Sequence, residues 1–374
     1  MSIEEQLKIV RGPAIERTPN VRVLAAASAH GDCNFSRLAL GTGVNVDKLC
    51  DQTYFAAEFG QDPQAFQRGN MFEKWVKEPN YGPLIQLLRE QGGFPITDVR
   101  IRDLRSGAEP NKKGMHHRAT ETRQLLRKIV NQAKDAPNII DGAVLTCRIA
   151  GQIAYFEADS LAAATGGQIK VIEVKSFPFT DGQCDPTNLG SAGDQASWYA
   201  LLVRRTLIEE KLLPEAVSDS AFIILPQGVG LKPTLLIVNI AAKIRRAAEL
   251  LASSPDAEMM LKLAGKLQFP DPQEAPDTRI AAIEHMLDEV GTAYRPECLR
   301  DCGMARLCRA RAQQIGAPAM CGSSIMRVLP GIRTLGRAAE LAGGAVASQP
   351  EHFAAEALRR ADALYQRVLS TGTL

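Results

Sequence analysis

The spacing of apolar positions changes along this chain. From 35 to about 88 the apolar residues recur mostly at helical spacing, interrupted by Gly41, Gly43, Gly60, Pro63 and Pro79. A polar stretch over 105–118 reads as a loop, and 119–133 as a helix. The period then shortens. Residues 143–149, 153–158 and 169–175 are strand-like, with Gly151-Gln152 and Gly166-Gly167 in the turns between them. A Pro- and Gly-rich loop is expected over 177–193, then a helix over 194–212. Two more strands, 221–225 and 234–240, are joined by a Gly/Pro turn. Helices are expected over 241–253, 257–267 and 278–290, followed by a cysteine-rich segment. In the small helical region at the end, 353–369 has amphipathic spacing.

Strands interleaved with helices predict an α/β fold: a mixed sheet flanked by helices, with helical additions before and after it. The expected divisions are an N-terminal segment over 1–34, the main domain over 35–320 and a small helical region over 321–374. No internal repeat or long low-complexity segment stands out.

Composition is that of an ordinary soluble protein, and 374 residues are ample for a buried core. No apolar run approaches the roughly 20 residues that a membrane helix needs. The first 17 residues are charged and lack the apolar centre of a signal peptide. A cytoplasmic location is therefore expected, where the eight cysteines stay reduced. A net charge of +2 excludes a uniformly basic nucleic-acid binder, yet the charge is uneven. Nine Lys and Arg residues fall between Arg100 and Lys128, and Arg300, Arg306, Arg309 and Arg311 lie close together. Local patches of this kind suit phosphates.

The candidate chemistry centres on Ile172-Glu173-Val174-Lys175. As a strand, it places Glu173 and Lys175 on one face and turns Val174 to the core. Asp159, expected at the end of the preceding strand, adds a second carboxylate; Glu157 shares its face. Two carboxylates and an ammonium in this pattern suit a divalent ion beside a positioned water, the chemistry of phosphodiester cleavage. Gln195 and Tyr199 are four apart and share a helix face. Earlier, Arg68-Gly-Asn-Met-Phe-Glu73 places a carboxylate four residues after a glycine. Trp75 and Trp198 lie on the two helices next to this set, where core packing is the expected role. His116 and His117 are expected in a solvated loop.

Cys298, Cys302 and Cys308 form C-x3-C-x5-C, and Cys50 lies far upstream. Four thiolates can hold an iron–sulfur cluster or a tetrahedral zinc, with Cys33 and Cys321 as reserve ligands. Cys147, on a strand, reads as core, and Cys184 receives no role.

Together these residues resemble the PD-(D/E)XK nuclease superfamily, and within it the RecB-like branch that includes CRISPR-associated exonucleases. The resemblance covers about residues 45–310. Asp159 matches the motif II aspartate, Glu173-Val174-Lys175 matches (D/E)XK, and Gln195 with Tyr199 matches QxxxY. Glu73 falls where that branch carries a helix-borne Glu or His. The resemblance implies Mg²⁺ or Mn²⁺ on Asp159, Glu173 and the Val174 carbonyl, with Glu73 as a further ligand. It implies that Lys175 orients or deprotonates the attacking water, and that Gln195 and Tyr199 hold the DNA strand and the site geometry. It also implies a [4Fe-4S] cluster on Cys50, Cys298, Cys302 and Cys308, although the trio of that branch is usually C-x2-C-x5-C.

Residues 328–342 resemble a helix-hairpin-helix, with Arg333 and Arg337 as phosphate contacts and Arg333 standing where a second glycine is usual. The expected function is a metal-dependent DNA nuclease, an exonuclease rather than an endonuclease, acting on single-stranded or end-bearing DNA in repair or genome defence. The chain has no G-x-x-x-x-G-K-[ST], so a separate helicase is an expected partner. The alternatives are a non-catalytic iron–sulfur DNA-binding subunit and a zinc-stabilised binding module.

Overall fold

The computed structural model describes residues 2–17, 20–29, 33–56, 63–96, 98–107, 109, 112–149, 152–164, 166–228, 230–253 and 257–371. Its strands are β1 (Ile101–Asp103), β2 (Ile139–Asp141), β3 (Val144–Ile149), β4 (Gln152–Glu157), β5 (Ser160–Ala163), β6 (Ile169–Val174), β7 (Ser220–Pro226) and β8 (Pro233–Asn239). Six of them form one mixed sheet in the order β1-β2-β5-β6-β7-β8, and β3 with β4 makes a separate antiparallel hairpin. β6 runs antiparallel to β5 and parallel to β7, so it lies inside the sheet.

The apolar residues of β6 and β7 alternate between two cores. Val171, Ala221, Ile223 and Leu225 enter the larger one, where Trp198 and Leu202 of helix Pro186–Glu209 pack on them. Ile172, Phe222 and Ile224 enter the other, filled by Phe72 and Val76 of helix Pro63–Lys77 and by Leu84 and Leu88 of helix Gly82–Glu90. A strand covered on both faces reads as a continuous apolar run. Each fully buried Leu, Ile or Phe contributes about 1.5–3 kcal/mol. The α/β class and the mixed sheet flanked by helices are as expected.

A third core joins distant parts of the chain. Leu7 and Val10 of helix Ile3–Arg11 pack with Phe35, Leu38, Cys50, Phe269, Ile283, Met304 and Leu307. The C-terminal helices keep a small core of their own around Leu329, Ile332, Leu341 and Ala354.

Several elements differ from the pattern-based reading. β1, β2 and β5 were not expected; they are three or four residues long, too short for alternation to register. Asp159 does not end a strand but lies in the link between β4 and β5. Helix Lys112–Val130 begins seven residues before the expected start at 119, so His116 and His117 are on a helix. Gly114, which suggested a loop, fits this helix because any Cβ there would run into the Glu109 carbonyl oxygen. Helix Pro186–Glu209 begins eight residues before 194. Its start carries a readable signal: Asp185 caps it by accepting from the Asn188 N–H at 2.7 Å, and Pro186 occupies the first turn. No described helix is long and apolar enough to cross a membrane.

Candidate active site

β6 carries Glu173, and the β4–β5 link brings Asp159 beside it, since Ser160 pairs with Ile172. The Val174 N–H donates to Asp159 Oδ2 at 3.2 Å, which fixes that carboxylate on the strand end. Lys175 follows β6, tied through its N–H to the Ile224 carbonyl at 3.0 Å. Its Nζ lies 2.5 Å from Glu173 Oε2 and 4.0 Å from Asp159 Oδ2. It also donates to Gln195 Oε1 at 3.0 Å. Tyr199, one turn after Gln195 on helix Pro186–Glu209, donates its hydroxyl to the Glu157 carbonyl at 2.5 Å. Asp159, Glu173, Lys175, Gln195 and Tyr199 thus meet at the end of β6.

Glu173 is only 1% exposed, and its Oε1 has no hydrogen-bond partner. Burial pushes its carboxyl up to about 7; the Lys175 ammonium opposes that rise and the Asp159 carboxylate adds to it. Burial works against the Lys175 ammonium, but Glu173 and Asp159 outweigh it and hold the amine above its ordinary range. Burial likewise pushes the Tyr199 phenol well up, with Glu173 and Asp159 adding to the rise. Once Glu173 is ionised, above about pH 7, two carboxylates against one ammonium leave this group net negative.

Glu73 lies next to this group but is engaged elsewhere. It accepts from Lys77, one turn along its helix, at 2.5 Å and from Arg105 at 3.0 Å. Burial raises its carboxyl, and the two cations more than reverse that, leaving it below the usual range. Its charge still acts on Glu173 and Lys175. Lys77 also reaches Asp141 at 2.7 Å, and Asp141 accepts from Tyr81 at 2.8 Å and Ser160 at 2.7 Å. Glu157 accepts from Arg105 at 2.5 Å and pairs with Arg118 at 2.8 Å. Gly142, at φ +63°, lets Arg105 and Arg118 pass close by; a Cβ there would sit 2.5 Å from Arg105 Cγ and 2.7 Å from Arg118 Nη2. Three carboxylates and three cations therefore form a balanced lattice beside the net-negative centre.

Sequence reasoning missed Lys77, Tyr81 and Asp141, and it read Arg105 and Arg118 as part of a phosphate-suited basic stretch, whereas they pair with Glu73 and Glu157. The Glu73–Lys77 pair was legible as an i, i+4 couple. Asp141 ends a three-residue strand and left no pattern. Trp198 is buried as expected, whereas Trp75 is 52% exposed beside Met71. His116 is exposed and meets the Tyr155 hydroxyl at 3.3 Å.

Among the described residues, no three His, Cys, Asp or Glu side chains are grouped to hold a metal ion. The Asp159/Glu173 pair is a two-carboxylate set, and the buried, partnerless Oε1 of Glu173 is the kind of atom that a hard cation takes. The four cysteines of the expected cluster are not arranged as its ligands. Cys33, Cys302 and Cys308 pack on the third core, where Cys50 is buried with its Sγ 3.6 Å from Met304 Sδ. Burial pushes Cys298 up to about 11 and Cys308 to about 12, and Cys33 is the thiol that acts most on both. Cys33 packs on the same core as Cys302 and Cys308, while the Cys50 thiol meets Met304. Cys147 is buried, as expected for a core residue.

In the C-terminal region, helix Ser323–Val328, a turn and helix Leu335–Ala342 follow one another. Arg337 is engaged internally, by Glu351 at 3.0 Å, Glu340 at 3.0 Å and the Val346 carbonyl at 2.7 Å. Arg333 is exposed.

No family profile matches the chain, and no curated protein matches it. Among solved structures, the crystal structure of the archaeal protein SSO0001 matches at 13% identity, covering 45% of this chain and 83% of that one with a TM-score of 0.20. A likeness at that level carries no functional information.

Proposed function

We propose that this protein is a metal-dependent deoxyribonuclease, acting as an exonuclease on single-stranded or end-bearing DNA. The observation that supports it most is the buried Glu173, with one oxygen on Lys175 and the other without a partner, beside Asp159. A buried carboxylate oxygen without a partner is costly, and a bound cation would offset that cost. Asp159 and Glu173 would hold Mg²⁺ or Mn²⁺, which supplies Lewis acidity at the scissile phosphate when bound. Lys175, fixed by Glu173 and Gln195, orients the attacking water and offsets the charge that grows on the phosphate oxygens. Gln195 keeps the ammonium aimed, and Tyr199 braces the link that carries Asp159. The balanced lattice of Glu73, Asp141 and Glu157 holds the strand ends in register without adding charge.

We propose further that the cysteines hold an iron–sulfur cluster, with Cys33, Cys298, Cys302 and Cys308 as its ligands. The support is the C-x3-C-x5-C spacing and the packing of Cys33, Cys302 and Cys308 on the third core, while the Cys50 thiol meets Met304.

The test is incubation with end-labelled single-stranded and duplex DNA in Mg²⁺ or Mn²⁺, with EDTA as control. Metal-dependent release of nucleotides from one end is expected. Absence of cleavage on every substrate, by protein shown to bind Mn²⁺, would overturn the nuclease reading.

A further inference from the structure

A second site lies between the third core and the C-terminal helices. A cavity of about 820 Å³ opens there, within the usual range for a ligand site. Its lining includes Tyr294, Arg295, Cys308, Arg311, Met326 and Arg327, together with four alanines. No Asp or Glu lines it.

The sequence around it is one-sided. From Cys302 to Ala339 the chain carries six arginines, no lysine and no acidic residue. Three of the six are used internally. Arg306 donates to the Ala56 carbonyl at 2.5 Å, Arg337 is held by Glu340 and Glu351, and Arg311 pairs with Asp288 and donates to the Glu284 carbonyl at 3.0 Å. That anchoring fixes the Arg311 guanidinium in the cavity wall. Arg327 and Arg333 are exposed and make no ion pair among the described residues.

We propose that this cavity is a binding site for a segment of single-stranded DNA, separate from the cleavage centre. The walls combine the two things such a strand offers. With no Asp or Glu in the lining, the exposed Arg327 can take a phosphate, and a planar guanidinium does so through paired hydrogen bonds. Tyr294 and Met326, over small apolar residues, accept a base face, and stacking of that kind tolerates any base. Arginine without lysine fits planar recognition of phosphate better than a diffuse field around the molecule. An acidic peptide would use the arginines but leave the aromatic and apolar surface without a matching group.

The test is fluorescence anisotropy with a labelled oligo(dT) of about 16 nucleotides. The full chain is used, with Lys175→Ala as background so that no cutting occurs. Arg327→Glu should weaken binding about tenfold or more and lower the salt slope by about one. Tyr294→Ala should weaken it about fivefold or more through lost stacking. Arg360→Glu, a charge reversal on the exposed face of helix His352–Thr371, controls for net charge and should change little. Folding is checked by melting temperature and circular dichroism. If folded Arg327→Glu and Tyr294→Ala bind like the Arg360→Glu control, the proposal falls. It also falls if polyglutamate displaces the oligonucleotide as readily as unlabelled DNA does. The two readings fail separately: binding through this cavity without any cleavage sinks only the nuclease, and cleavage with Arg327→Glu binding normally sinks only this site.

Discussion

The Lys175 ammonium sits 2.5 Å from one oxygen of Glu173, while the other oxygen of that carboxylate is buried without a partner. The pair is therefore half satisfied. Lys175 also leans on Asp159 and Gln195, and Glu173 Oε1 has no partner among the described residues. This asymmetry makes the end of β6 a place for an added cation.

It also sets a pH dependence. Burial pushes the Glu173 carboxyl from 4.5 up to about 7, so the folded chain holds a proton that the unfolded chain gives up. In EDTA that contribution is complete below about 4.5 and is lost as pH rises to about 7, with a ceiling of about 3 kcal/mol. Glu173→Gln cannot ionise. Its melting temperature should gain on that of wild type across this window, and Mn²⁺ should raise the melting temperature of wild type only. Parallel melting curves for the two proteins over pH 4.5–7 would contradict this.

Lys77 and Asp141 are buried and directly paired, at 2.7 Å, and each holds other members of the lattice. Removing one partner leaves the other charge uncompensated. Lys77→Met or Asp141→Asn should cost roughly 3 kcal/mol or more in urea denaturation. The exposed Arg360–Glu356 pair should cost no more than about 1 kcal/mol when broken. Equal costs for the two pairs would mean that the lattice does not brace the strand ends.

Gln195 and Tyr199 act through other groups. Gln195→Ala removes one of the two close contacts that aim the Lys175 ammonium, and misplacement of such a group costs on the order of 100-fold in rate. Tyr199→Phe loses one buried hydrogen bond to the Glu157 carbonyl, about 1 kcal/mol of stability. The expected result is a fall in kcat with KM little changed for Gln195→Ala. A rise in KM alone would make Gln195 a strand-binding residue instead.

The centre was legible because its parts keep fixed spacings: E-x-K on a strand and Q-x-x-x-Y on a helix. β6 and β7 were legible as strand-like stretches between turn signals. The supporting lattice was not, because Asp141 and Ser160 lie on strands of three and four residues and Arg105 in the loop after a third short strand. Their meeting depends on register, as when Asp141 pairs with Ser160 across β2 and β5, and local periodicity carries no trace of that. The cysteine spacing was visible, but not that Cys33 would pack on the same core as Cys302 and Cys308 while the Cys50 thiol meets Met304.

That difference is testable in anaerobically purified protein. Cys33→Ala, Cys302→Ala and Cys308→Ala should lose visible absorption and bound iron, and Cys50→Ala should retain them with reduced stability. Colour lost in Cys50→Ala but kept in Cys33→Ala would reverse the assignment, and colourless wild-type protein containing zinc would replace iron with zinc.

Cleavage of end-labelled single-stranded DNA in Mn²⁺ by wild type and by Lys175→Ala, with DNA binding measured in parallel, tests the central claim most directly. Wild type should cut, and Lys175→Ala should bind the same DNA with its cleavage lost. Cleavage that survives in the folded variant would remove Lys175, and with it the β6 centre, from the chemistry.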